Sequence, residues 1–222
     1  MARILKAFIF DLDGVITDTA EYHYLAWKAL GEELDIPFTR EFNEELKGIS
    51  RMDSLEKILV LGGRQHDFTE EEKIALAEKK NVHYCRLIEG ITPGDILPGI
   101  KELIDGIKAK DLKLGLASVS KNAFTVMDRL GLTENFDTIV DAAKIKKGKP
   151  DPEIFLTAAS QLGVEPDECI GVEDAAAGVD SIKGAGMFAV GIGSKSSLAK
   201  ADVIFERTDM LTFDEILTAY EK

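Results

Sequence analysis

Six short apolar runs, most of them separated by helical patterns, are the feature that most limits how this chain can fold. The runs are rich in β-branched or aromatic residues, as buried strands are. They lie at residues 7–10, 112–117, 138–140, 169–172, 187–192 and 202–205. Strands that alternate with helices are typical of βαβ units. We therefore predict an α/β fold whose core is a Rossmann-like parallel sheet.

Two of the intervening segments have clear helical signals. In the first, Ile100, Leu103, Ile104 and Ile107 follow the i, i+3, i+4, i+7 spacing of one helix face. In the second, we predict Asp151 as the N-cap residue, Pro152 in the first turn, and Gly163 as the end of the helix. Both patterns support crossover helices between parallel strands.

One segment interrupts this alternation. Between the first run and the helix near Pro98, about eighty residues show helical patterns and no convincing strand. We predict a core made of residues 1–17 and 91–222, with an inserted helical-bundle cap of four helices at 18–90 and a hinge at the two connections. Three pairs have capping-box spacing: Asp18 with Glu21, Ser50 with Asp53, and Thr69 with Glu72. The apolar faces predicted after them are Leu25, Ala29 and Leu30; Leu55, Ile58 and Leu59; and Ile74, Ala77, Tyr84 and Ile88.

Composition excludes several classes of protein. The 222 residues carry 27 basic and 40 acidic side chains, a formal net charge of −13, which argues against nucleic-acid or membrane-surface binding. The 2 cysteines suggest neither a disulfide framework nor a zinc site. The first apolar run ends at Asp11, too soon for a signal-peptide core. We expect a soluble cytoplasmic protein, by default a monomer, that meets any anionic substrate through local positive charges.

Polar residues directly follow several of the predicted strands. Asp11 and Asp13 follow the first strand, Ser118 the second, and Glu173 with Asp174 the fourth, while Lys149 lies in the loop after the third. Ligands of parallel α/β sheets bind beyond the carboxyl ends of the strands, so these side chains are expected to converge.

The predicted cluster has the composition of a phosphoryl-transfer site. Clustered carboxylates repel one another and need a cation, and hard oxygen ligands without His or Cys favour Mg²⁺. With the pocket neutralised, Asp11 is the natural nucleophile toward phosphorus and Asp13 the natural proton donor and acceptor. The alternative is that both are only turn residues ending a strand. The matching residues at successive strand ends favour the site.

Four sequence motifs resemble those of the haloacid dehalogenase superfamily of phosphotransferases. They are DLDGVITDT, LASVSKN, KPDPEIF and GVEDAAAG, and together they span the core. Within the insert, YHYLAWKAL, LKGISRMDSLEKIL and KKN resemble members of this superfamily that are sugar-phosphate mutases with a helical cap after the first motif. The resemblance covers essentially the whole chain.

The resemblance implies a Mg²⁺-dependent enzyme that interconverts β-D-glucose 1-phosphate and β-D-glucose 6-phosphate through β-D-glucose 1,6-bisphosphate. By position in the motifs, Asp11 is then the nucleophile that carries the phosphoryl group and Asp13 the general acid and base. The Asp13 carbonyl joins Asp11, Glu173 and Asp174 around Mg²⁺. Ser118 and Lys149 bind the transferring phosphate.

The resemblance also assigns roles to the cap. It implies that Arg51 holds the non-transferring phosphate, that His23 and Lys80 contact substrate or the Asp13 region, and that Thr19 lies in the hinge. The remaining substrate or phosphate contacts are Gly48, Ser50, Ser120, Lys121 and Asn122. Three of the cap residues have an ordinary alternative: Arg51 and Lys80 as solvated surface side chains, and His23 packed beside Trp27.

The core motifs leave the acceptor of the phosphoryl group open. Transfer to a sugar hydroxyl gives a mutase, and transfer to water gives a sugar-phosphate phosphatase. A carbon–halogen hydrolase and a non-catalytic binding protein are further alternatives, but the presence of Asp13 argues against the first and the full set of carboxylates against the second.

Overall fold

The computed structural model describes residues 4–221, which divide into two compact units. One contains the chain up to Asp18 and from Ile91 onward, and the other is Thr19–Gly90.

The inserted unit is a bundle of helices. Its α-helices are α1 (Ala20–Glu33), α2 (Arg40–Glu44), α3 (Arg51–Leu61) and α4 (Glu70–Leu87). The expected capping box forms at Thr69 and Glu72, and Ser50 caps α3 by accepting from the Asp53 amide. Asp18 does not cap α1, because the helix begins at Ala20 with Thr19 at the N-cap position and no side-chain cap bond.

The buried face of this bundle differs from the predicted one at three positions, one of which is Ala29, a half-buried residue. The predicted residues of α3, namely Leu55, Ile58 and Leu59, are fully buried. Leu25 and Ile74 are exposed, by 37% and 59%, so both predictions are wrong. In α1, Tyr24, Trp27 and Leu30 take the inward positions. In α4, the inward positions are Lys73, Ala77, Lys80 and Tyr84.

The other unit is built on a six-stranded parallel sheet. Its strands are β1 (Ala7–Phe10), β2 (Lys113–Leu116), β3 (Thr138–Ile139), β4 (Cys169–Glu173), β5 (Phe188–Ile192) and β6 (Val203–Phe205). All six predicted strands are therefore present. The order β3-β2-β1-β4-β5-β6 places β1 inside the sheet, at the point where the strand order reverses. Ligands of open α/β sheets bind at such a point, beyond the carboxyl ends of the strands.

Four helices each precede a strand of the sheet: α5 (Ile100–Lys108), α6 (Ala123–Arg129), α7 (Glu153–Leu162) and α8 (Ala176–Gly184). A fifth, α9 (Phe213–Tyr220), follows β6. The four predicted apolar residues of α5 are at most 2% exposed. Helix α7 begins at Glu153, with Pro152 rather than Asp151 at its N-cap position, and ends at Gly163 in a left-handed conformation with φ 67°. Within residues 4–221, no helix has the length and apolar character needed to cross a membrane.

Candidate active site

Three carboxylates come together at the carboxyl edge of the sheet. Phe10 of β1 lies beside Val172 of β4, and the Asp11 amide donates to the Val172 carbonyl at 2.9 Å. This register brings Asp11 next to Glu173 and Asp174, and one oxygen from each of these carboxylates lies within 4.8 Å of the others. Among the described residues, the cluster does not include the carboxylate of Asp13. Asp13 is half-buried and lies in the turn that follows β1.

Lys149 lies inside the cluster. Its Nζ donates to Asp11 Oδ1 and to Glu173 Oε2, each at 2.7 Å, and all three side chains are almost completely buried. Burial, together with the charge of Asp11, raises the pKa of Glu173. For Lys149, burial alone would lower the pKa, but the attraction of the two carboxylates outweighs it and raises the pKa. Lys149 thus pairs with two of the three clustered carboxylates, and a divalent cation would neutralise the remaining negative charge.

Two glycines make room for the acidic side chains. Gly14 has φ +76°, and a Cβ atom there would lie 2.1 Å from Asp174 Oδ2. Gly178, in the first turn of α8, lies against the other carboxylate: a Cβ atom there would be 2.0 Å from the Glu173 carboxyl carbon. The GVEDAAAG motif therefore supplies both a carboxylate and the space that it occupies.

Replacing Gly178 with Ala is expected to displace the Glu173 carboxylate and to reduce activity by at least about tenfold, the cost of a small misplacement in a catalytic site. Gly184→Ala is the matched control, since it lies in the same helix and its added methyl would meet only Pro152 at 3.6 Å. Ala favours a helix over Gly, so the control should keep full activity and a similar or higher Tm. Equal activities of the two variants would show that the contact with Glu173 is unimportant.

The loop after β2 carries the serine of the second motif. Ser118 is 1% exposed, and the parallel register of Phe10 with Leu116 places it at the same sheet edge as Asp11. Its Oγ accepts from the Ser120 amide at 3.1 Å, and Ser120 Oγ accepts from the Asn122 amide at 3.3 Å. These bonds turn the chain toward α6 and leave Lys121 exposed.

A second polar cluster lies within the inserted unit, around Lys80. Lys80 is only 3% exposed, so its interpretation as a solvated lysine is wrong. Its Nζ lies 2.8 Å from His23 Nδ1 and over the rings of Trp27 and Tyr84, at 4.6 Å and 4.8 Å from their centroids. The His23 ring stacks on Tyr84 at 4.1 Å. Burial and then the charge of Lys80 hold the pKa of His23 well below its usual value, so the imidazole is neutral at pH 7.

Arg51, the first residue of α3, is also held in place within this unit. Its side chain is 17% exposed, and its guanidinium donates to Glu78 Oε2 at 3.2 Å and to Asn81 Oδ1 at 2.8 Å. Both partners lie on α4, and sequence reasoning did not identify them. Their three-residue spacing on one helix face was the signal available. Arg51 is thus not the freely solvated residue of the ordinary alternative.

The other predicted cap residues lie near the ends of helices. Thr19 precedes α1 and is fully buried. Gly48 has φ 72°, in the left-handed region that glycine tolerates, and lies shortly before α3. Ser50 caps the same helix, and its hydroxyl also donates to Asp53 Oδ2 at 2.6 Å. The site residues thus fall into one set in each unit.

Comparison with known proteins identifies relatives over the whole chain. The curated β-phosphoglucomutase of Bacillus subtilis (strain 168) is 51% identical over 218 residues, which cover 98% of this chain and 96% of that protein. The crystal structure of β-phosphoglucomutase from Clostridium difficile superimposes with a TM-score of 0.96 at 51% identity, covering 98% of this chain and 97% of the other. A phosphorylated carbohydrates phosphatase of Thermotoga maritima is 31% identical over 82% of each chain.

A family model agrees with these relatives. The model of the haloacid dehalogenase-like hydrolases matches residues 5–186, a range that includes all four motifs and the insert. The sheet order, the acidic cluster around Lys149 and the inserted helical unit are the structural counterparts of that match. The chain belongs to the haloacid dehalogenase-like hydrolase family.

Proposed function

We propose that this enzyme is a β-phosphoglucomutase, which interconverts β-D-glucose 1-phosphate and β-D-glucose 6-phosphate through an aspartyl-phosphate enzyme and β-D-glucose 1,6-bisphosphate. The observation that carries the proposal is the 51% identity to the Bacillus enzyme across both units, since the phosphatase relative is much less similar. Small sugar phosphates are therefore the proposed partners, with the enzyme acting as a monomer in the cytoplasm.

Asp11 is the proposed nucleophile. Its carboxylate oxygen attacks phosphorus, the bond from phosphorus to the sugar oxygen breaks, and Asp13 donates a proton to the departing oxygen. In the second half of the reaction, a hydroxyl of a glucose monophosphate loses its proton to Asp13 and attacks phosphorus. The bond from phosphorus to Asp11 breaks, and the Asp11 carboxylate is released. The bond from Lys149 to Asp11 holds one carboxylate oxygen, and this fixes the direction of the other.

The acidic cluster fits a magnesium ion. The carboxylates of Asp11, Glu173 and Asp174, with the backbone carbonyl of Asp13, are the proposed ligands, all of them hard oxygen donors. The ion would supply charge neutralisation for the phosphoryl group during transfer. Ser118 and Lys149 are the proposed protein contacts of the same group.

The inserted unit is proposed to recognise the rest of the substrate. Arg51 presents a planar set of N–H donors suited to a phosphate that is not being transferred. Ser50 and Gly48 of this unit are further proposed phosphate or substrate contacts, as are Ser120, Lys121 and Asn122 of the sheet-containing unit. His23 and Lys80 would contact the sugar or the Asp13 region, with Thr19 in the hinge.

The anomeric specificity of the reaction tests this proposal. The purified protein is incubated with Mg²⁺, a trace of β-D-glucose 1,6-bisphosphate and either the β or the α anomer of glucose 1-phosphate. Glucose 6-phosphate should form from the β anomer alone, and removal of divalent cations with a chelator should stop its formation. Equal conversion of both anomers, or activity without a divalent cation, would contradict the proposal.

Replacing Arg51 with Ala is expected to raise KM for β-D-glucose 1-phosphate by about 10- to 100-fold, the value of a lost charge-assisted contact to phosphate. Arg40→Ala is the matched control, because this arginine lies in the same unit, is 65% exposed and pairs with Glu21. An unchanged KM in the Arg51 variant would show that Arg51 does not bind the phosphate.

A further inference from the structure

Glu78 is an acidic residue that directly contacts the arginine proposed to bind phosphate. Its carboxylate lies 3.2 Å from Arg51 Nη1, while Asn81, three residues later on α4, lies 2.8 Å from Nη2. The side chain of Glu78 is 62% exposed, whereas that of Arg51 is 17% exposed. The neutral partner therefore makes the shorter contact, and the charged partner lies toward solvent.

These two contacts affect Arg51 differently. A guanidinium has five N–H donors, and Glu78 and Asn81 engage one terminal nitrogen each, so donors remain for an anion. Asn81 orients the Arg51 guanidinium without adding charge. Glu78 adds a negative charge, which attracts the guanidinium but repels any phosphate brought to it.

We propose that Glu78 weakens the hold of Arg51 on the non-transferring phosphate of the substrate. This inference rests on the proposed function. A mutase must release and rebind its bisphosphate so that the phosphoryl group at either end of the sugar can be transferred to Asp11. A tightly held phosphate would slow that exchange, and the carboxylate of Glu78 offsets part of the attraction.

The test measures the dissociation constant of D-glucose 6-phosphate by calorimetry, without bisphosphate so that no turnover is expected. Glu78→Gln keeps the shape of the side chain and removes its charge, and it should tighten binding about three- to tenfold at low salt. The gain should shrink at high salt, because exposed charges are screened. Glu78→Asp, which keeps the charge, should bind as the wild type does.

A control for net charge is available on the same helix. Glu71→Gln removes one exposed charge about two turns from Glu78 and should leave binding unchanged. Arg51→Ala should weaken binding, and adding Glu78→Gln to it should have no further effect.

The outcomes separate this inference from the proposed function. If Arg51→Ala does not weaken binding, the role of Arg51 in the proposed function fails. If Arg51→Ala weakens binding but Glu78→Gln binds no more tightly than the wild type, only the inference about Glu78 is overturned. Equal tightening in the Glu71 and Glu78 variants would also overturn it, since the effect would then reflect net charge alone.

Discussion

Replacing Asp11 with Asn is expected to lower mutase turnover by about four orders of magnitude or more, the usual cost of losing a covalent nucleophile. The amide has the shape of the carboxylate but cannot accept the phosphoryl group. Lys149 keeps its contact with Glu173, so the fold should be retained. The measurement is turnover with β-D-glucose 1-phosphate, together with thermal unfolding.

Asp105→Asn is the control for this variant, because Asp105 lies on the exposed face of α5, where it pairs with Lys101 at 2.8 Å. It should keep full turnover. The second measurement is the amount of phosphate that stays covalently bound to the protein in acid after incubation with the bisphosphate. This bound phosphate should be lost in the Asp11 variant alone. A phosphoenzyme that persists there would identify another residue as the nucleophile.

Replacing Lys149 with Met is expected to abolish turnover and to lower the free energy of unfolding by about 3–5 kcal/mol, the usual cost of leaving buried charges without a partner. The lysine is completely buried, with Asp11 and Glu173 as its partners, so its loss leaves two carboxylates in contact with an apolar side chain. Urea unfolding without divalent cations measures the effect.

Two further variants isolate the cause. Lys147 lies two residues before Lys149, and its side chain is 73% exposed. Lys147→Met should therefore change the free energy of unfolding by less than about 1 kcal/mol. Adding Glu173→Gln to Lys149→Met removes one of the two unpaired charges and should recover part of the lost stability. If the double variant is no more stable than Lys149→Met, the loss comes from packing rather than from charge.

The architecture of the core could be predicted because its signals are local. Short apolar runs and one-sided apolar helices predict buried residues in an α/β protein. The burial predicted for β1 and for the apolar face of α5 is confirmed. The order of motifs along a parallel sheet also predicts that Asp11, Lys149 and Glu173 meet at one edge. The structure places them in hydrogen-bonding contact.

The helical insert could be predicted less well because its inward face includes charged residues. Lys73 is buried between Glu56 and Glu70, at 2.6 Å and 3.2 Å, and Lys80 is buried against His23. Each lysine is acceptable there because of a partner distant in sequence or one turn away. Apolar periodicity predicts that Lys73 and Lys80 are exposed to solvent and that Ile74 is buried. The structure shows the opposite for all three residues.

The fate of the phosphoryl group tests the central claim most directly. The wild-type protein is incubated with Mg²⁺, β-D-glucose 1-phosphate and a trace of β-D-glucose 1,6-bisphosphate, and glucose 6-phosphate and free phosphate are followed in the same sample. We predict that glucose 6-phosphate accumulates while free phosphate stays far below it. Release of free phosphate without glucose 6-phosphate would contradict the account and make the enzyme a sugar-phosphate phosphatase.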